Sequence, residues 1–152
     1  MRGALGPLVI IVDAANVMGS RADGWWRDRA GAAARLRDQL AALGARGVRA
    51  LPSDLDVPPL DVWFPEIVLV VEGAARAIAS GADASGRGVP GSGAPGAVRV
   101  VAARGSGDDA IARLAAGARG VRLVVTADRE LRRRCQDAGA AVTGPRWLLG
   151  LL

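Results

Sequence analysis

The chain has 152 residues, 51% of them hydrophobic, which is enough for one domain with a core of its own. All 20 basic residues are Arg, there is no Lys, His or Tyr, and Cys occurs once. This excludes His-dependent acyl transfer and His-ligated metals, Walker-type phosphate clamps and Schiff bases, and internal disulfides or thiolate zinc sites.

The chemistry left is that of Asp, Glu, Ser, Thr, Asn and Arg, or of a metal held by oxygen. The net charge of +5 and an isoelectric point near 11.2 favour a polyanionic partner. The use of Arg for Lys, with many Ala and Gly, is what a high-GC coding bias produces.

In chain order, the segment Met1-Arg2-Gly3-Ala4-Leu5 and the apolar run after it have the outline of a short signal peptide. The run ends at Asp13, too soon to span a bilayer, and no cleavage-like site follows, so it reads as a first buried strand, Pro7–Asp13. A cytoplasmic protein with no membrane partner is expected. An amphipathic helix follows over Asp28–Leu43, with Ala33, Leu36, Leu40 and Leu43 on one face and Gly44 as its stop. Pro52–Pro65, with prolines also at 58 and 59, reads as an irregular connection.

Ile67–Glu72 is the second strand, and the Gly-, Ser- and Pro-rich stretch Ser80–Ala97 a long mobile loop. Strands Val98–Ala103, Val121–Thr126 and Ala140–Thr143 alternate with helices Asp109–Ala118 and Arg129–Ala138. The second of these helices places Cys135 in the core. Pro145–Leu152 reads as a short apolar helix that docks on the core or joins a homodimer contact. The strands are continuous apolar runs rich in Val and Ile, as parallel strands covered on both faces are. The expectation is therefore a single α/β domain over 1–152 with a parallel sheet.

The carboxylates fall where such a sheet gathers its strand ends. Asp13 ends the first strand and Glu72 the second; Asp108 and Asp109 open a helix; Asp128 follows the fourth strand. Strand carboxyl ends share one rim, and ligands bind there. Helix capping accounts equally well for Asp108, Asp109 and Asp128 taken singly. Asp13 and Glu72, at the ends of buried strands, need a partner, and only Arg or a cation is available. Hard oxygen donors without His or Cys suit Mg²⁺ or Mn²⁺.

These segments resemble the NYN branch of the PIN-like nucleases. Asp13-Ala14-Ala15-Asn16 resembles the Asp-Gly-x-Asn signature, with Ala14 in place of Gly. Val71-Glu72-Gly73 stands where relatives carry Phe-Asp-Gly. Asp109-Ala110-Ile111-Ala112 is similar to the start of the mid-chain PIN helix. Val125-Thr126-Ala127-Asp128-Arg129-Glu130-Leu131 is similar to the Thr/Ser-x-Asp-x-Asp-Phe/Leu segment, with Glu130 at the second acid. The resemblance covers nearly the whole chain in order. It implies a three-layer α/β/α domain, a five-stranded parallel sheet of order 3-2-1-4-5, and metal-dependent hydrolysis of RNA.

On this reading Asp13, Asp109 and Asp128 are catalytic metal ligands, with Glu72 and Asp108 as direct or water-mediated ligands of Mg²⁺ or Mn²⁺. Asn16 orients Asp13 or a water; Thr126 and Ser106 donate to ligands or phosphate. Trp25, Arg27, Arg29 and Arg129 meet single-stranded or structured RNA by stacking and charge, with at least one of Trp25 and Trp26 structural. Arg132-Arg133-Arg134 reads as a solvated helix face. The alternatives are a catalytically silent RNA-binding domain and a nucleotide phosphohydrolase. A dinucleotide site does not fit, because no Gly-rich turn follows the first strand. Receiver and dehalogenase-like readings lack their Lys.

Overall fold

A computed structural model describes residues 8–79, 96–117 and 120–152. Strands β1 (Leu8–Asp13), β2 (Glu66–Val71), β3 (Val98–Ala102), β4 (Val121–Val125) and β5 (Ala141–Thr143) form one sheet of order β3-β2-β1-β4-β5. All four pairings are parallel, with Ile10 level with Ile67 on one side and Leu123 on the other. The order and the three-layer α/β/α build are those expected. Residues 1–7 and 80–95, covering the signal-like start and most of the expected loop, and Ala118 at the end of the expected mid-chain helix lie outside the described residues.

Alternation along the strands divides the core in two. Ile10, Val12, Ile67, Leu69, Val100, Leu123 and Val125 face one layer, where they meet Ala33, Leu36 and Leu40 of helix α2 (Arg29–Arg46) and Leu148 of the terminal helix. Val9, Ile11, Val68, Val70, Val101 and Val124 face the other, packed on Ile111 and Ala115 of α3 (Gly107–Gly117) and on Leu131 and Cys135 of α4 (Arg129–Asp137). Cys135 is fully buried, which pushes its thiol pKa up, so it packs as an apolar group. The terminal helix α5 (Pro145–Leu149) docks on the first core, and Trp147 Nε1 donates to the Ala50 carbonyl at 3.3 Å. No helix among the described residues is long and apolar enough to cross a membrane.

Two differences from expectation lie between β1 and β2. A six-residue helix α1 (Ala14–Gly19) follows β1 at once. It is too short for apolar periodicity to reveal, and the cap that starts it is Asp13 itself. Helix α2 runs three residues past Leu43, to Arg46. Gly44 lies inside the helix, where a Cβ would stand 2.1 Å from the Gly96 carbonyl oxygen. Its missing side chain therefore allows a close backbone approach. The stop is Gly47, at φ +86°, a conformation in which glycine carries no steric penalty.

Candidate active site

Reversal of the sheet's winding at β1 and β4 sends α2 to one face and α3 to the other, which leaves a crevice at the carboxyl ends of those strands. A hollow of about 240 Å³ lies there, lined by Asp13, Ala15, Asn16, Glu72, Asp108 and Asp128. Four carboxylates thus come together from four separate segments. Among the described residues, no three acidic side chains stand close enough to chelate one ion as placed.

Three of the four are held by helix N-termini. Asp13 Oδ1 accepts from Asn16 N at 3.3 Å and so caps α1. Asp128 Oδ1 accepts from Leu131 N at 3.0 Å and caps α4. Glu72 Oε2 accepts from Gly107 N at 2.6 Å, at the first residue of α3, from a different strand end. The unpaired N–H groups and the helix dipole favour a carboxylate at each position. Capping, which accounted for some of these acids singly, thus operates at three of them and still brings them into one hollow.

Thr126 ties the arrangement together. It is fully buried; its hydroxyl donates to Asp13 Oδ2 at 2.9 Å and accepts from Asp128 N at 3.2 Å. Asn16 closes the other side, its Oδ1 accepting from Ala127 N at 2.9 Å. Both oxygens of Asp13 are therefore fixed. No hydrogen bond to the Asp108 carboxylate, to Glu72 Oε1 or to Asp128 Oδ2 is found among the described residues.

The electrostatics follow from this crowding. Burial is the main cause that raises Asp13 to about 6; its bonds to Thr126 and Asn16 oppose the rise, and the charges of Asp108 and Glu72 add to it. Asp108 is also raised, first by desolvation and then by Asp128 and Glu72. An oxygen-only donor set that repels itself has the chemistry of a hard-cation site. By donor type, oxygen only, the lining residues fit a hard cation such as Mg²⁺ or Mn²⁺.

Asp109 departs from its expected place. Its Oδ1 lies 3.0 Å from Arg134 NH1, and it lines a neighbouring hollow instead. α3 opens at Gly107, two residues before the expected position, so both acids lie within the helix, where successive residues are ~100° apart. Asp108 faces the acidic hollow; Asp109 does not.

The expected RNA-binding segment forms a patch of its own. Trp25 and Trp26 meet edge to face at 6.3 Å in the short turn after α1, with the Arg29 guanidinium over Trp25 and that of Arg27 over Trp26. None of these residues lines the acidic hollow, because α1 carries the chain ~9 Å beyond the end of β1. Trp25 packs on the first core, and Trp26 is 56% exposed. Ser106 accepts from Asp108 N at 3.1 Å, a local turn contact, and Arg129 is exposed.

Two arginines read as solvated make specific contacts instead. Arg132 Nε donates to the Thr126 carbonyl at 2.7 Å, and Arg134 holds Asp109. Arg132 stands four residues after Asp128, one turn along the helix, and that spacing was the available signal. Comparison of the chain with models of known protein families, with curated proteins and with solved structures finds no match in any of the three.

Proposed function

We propose that the chain is a metal-dependent ribonuclease acting at the hollow between Asp13, Glu72, Asp108 and Asp128. The observation that carries this is the meeting of four carboxylates at the β1–β4 crevice, with no basic side chain among the described residues that line the hollow. The motif resemblance to NYN and PIN-like nucleases, and the sheet order it implied, support the same reading. When bound, Mg²⁺ or Mn²⁺ supplies a water of lowered pKa and polarises a phosphodiester.

The chain's own residues set up that chemistry. Asp13, held on both oxygens, is the fixed ligand. Asp108, Glu72 Oε1 and Asp128 Oδ2 are the adaptable ones. Thr126 and Asn16 orient Asp13 and the loop carrying Asp128. Asp109 passes its expected ligand role to Asp108. No protein general base is required, in keeping with a chain that has no His. RNA and a divalent cation are the partners this implies.

The silent RNA-binding alternative draws on one observation: Asp13, Glu72 and Asp128 already serve as helix caps. A Mn²⁺-dependent cleavage assay on single-stranded RNA at low salt separates the two. The parent protein cleaves, and Asp13→Asn and Asp128→Asn do not. Equal activity in all three, or none in the parent, overturns the ribonuclease reading.

A further inference from the structure

On the far side of the Ser106–Asp109 segment lies a second hollow, of about 300 Å³, between the end of β3 and the first turns of α3. We propose that it is a subsite for a nucleotide phosphate, with Arg104 and Arg113 as its anion-binding groups. The proposal depends on the ribonuclease reading only for the source of that nucleotide, an RNA strand passing the acidic hollow. A free nucleotide offers the same chemistry.

The charge pattern carries the inference. Arg104 follows the end of β3, and Arg113 lies on the wall that α3 provides. Asp109, one helical turn before Arg113, stands at a spacing that favours pairing. Asp109 instead bonds Arg134 across to α4. Neither Arg104 nor Arg113 has an ion-pair partner among the described residues. The hollow is thus left with two cationic side chains and one carboxylate that is already paired.

Its remaining lining suits a nucleotide. Ser106 accepts from Asp108 N, and its own hydroxyl hydrogen has no acceptor among the described residues. Ala110 and Leu114 give an apolar floor on which a sugar or base can rest. The volume is at the lower end of small-molecule sites, the scale of one nucleotide and not of a duplex. Asp108 lines one hollow and Asp109 the other, and consecutive Cα atoms are 3.8 Å apart. The two hollows thus border one another at the Asp108–Asp109 step, and an RNA strand bound at the acidic hollow is the proposed source of the nucleotide beside Arg104 and Arg113.

The test measures binding without cleavage. Fluorescence anisotropy of a short labelled single-stranded RNA is followed in EDTA across a salt series. Arg104→Ala/Arg113→Ala should weaken binding by about tenfold per arginine. Its slope of log K against log salt should be shallower by ~1.4, that is ~0.7 for each phosphate contact on a single strand. Arg104→Lys/Arg113→Lys should retain the slope, which separates lost charge from a damaged fold. Arg35→Ala/Arg133→Ala removes the same charge from exposed positions elsewhere and should change binding much less.

Calorimetry with adenosine 5′-monophosphate distinguishes the sources. Uptake by the parent that the alanine pair abolishes puts a free nucleotide in the hollow. RNA weakened without any uptake of the monophosphate assigns the hollow to a strand. Binding of both probes indifferent to Arg104 and Arg113, or equally weakened by the Arg35/Arg133 pair, overturns the subsite. If the parent binds RNA through these arginines but cleaves none with Mn²⁺, the subsite stands and the ribonuclease reading falls. Cleavage with indifferent arginines does the reverse.

Discussion

Asp108 and Asp109 are adjacent, chemically identical and on the same helical turn, yet they belong to opposite surroundings. Asp108 faces three other carboxylates, and its proton is held more tightly than usual by burial and by their charge. Asp109 faces Arg134 and borders a hollow with two further arginines. The difference is one of helix phase, successive residues lying ~100° apart, in a helix whose first N–H is bonded by Glu72. A negatively charged pair in sequence therefore specifies no site until the element carrying it is fixed by a contact from elsewhere.

The sharpest way to break this contrast is by activity. Asp13→Asn, Asp108→Asn and Asp128→Asn should each lower Mn²⁺-dependent RNA cleavage roughly a thousandfold, equivalent to the loss of ~4 kcal/mol of transition-state stabilisation. Asp109→Asn should lower it less than about tenfold. Matched losses at 108 and 109, measured as kcat/KM on one RNA, would erase the distinction.

The next effect is on stability against pH. Asp13 titrates at about 6 in the fold against an ordinary value of 3.8, so the folded state holds its proton more tightly than the unfolded chain. Its contribution is fully present below pH ~4 and is lost as pH rises through 6, on the order of 3 kcal/mol in all. Denaturant melts without divalent cations should show this decline, and Asp13→Asn should flatten it while gaining stability above pH 6. A parent whose stability climbs between pH 4 and 6 would contradict the tighter proton hold that burial gives Asp13.

Cation binding gives a comparable gain. At a hundred times its Kd, Mn²⁺ should stabilise the folded parent by ~2.7 kcal/mol at pH 7, raising Tm by roughly 5–10 °C. Asp13→Asn/Asp108→Asn should show little shift in the same thermal scan, and Asp109→Asn should keep it. The smallest effect is that of the Asp109–Arg134 pair on folding. Both side chains are well exposed, so a double-mutant cycle should give at most ~0.5 kcal/mol.

Much of the fold was written in the strands. Continuous runs such as Val9–Val12 and Val68–Val71 can only be buried on both faces, and the structure buries them. The carboxylate at each strand end followed, since parallel strands share a rim. What stayed hidden depended on contacts distant in sequence. The Gly44–Gly96 approach joins α2 to the start of β3, and no local pattern marks it. The start of α3, which decides where Asp108 and Asp109 point, is bonded by Glu72, 35 residues away from Gly107. The Trp25–Arg29 segment was read as part of the rim because α1, six residues long, shows no periodicity.

The hydrogen bond between Thr126 and Asp13 joins residues 113 positions apart. A ribosome making this chain releases β1 first, yet β1 sits in the middle of the finished sheet, with β4 as one of its two neighbours. While β4 is still unmade, Asp13 lacks its buried hydroxyl partner and the cluster lacks Asp128. On the ribonuclease reading, the proposed site is therefore assembled only once β4 and the start of α4 have been made.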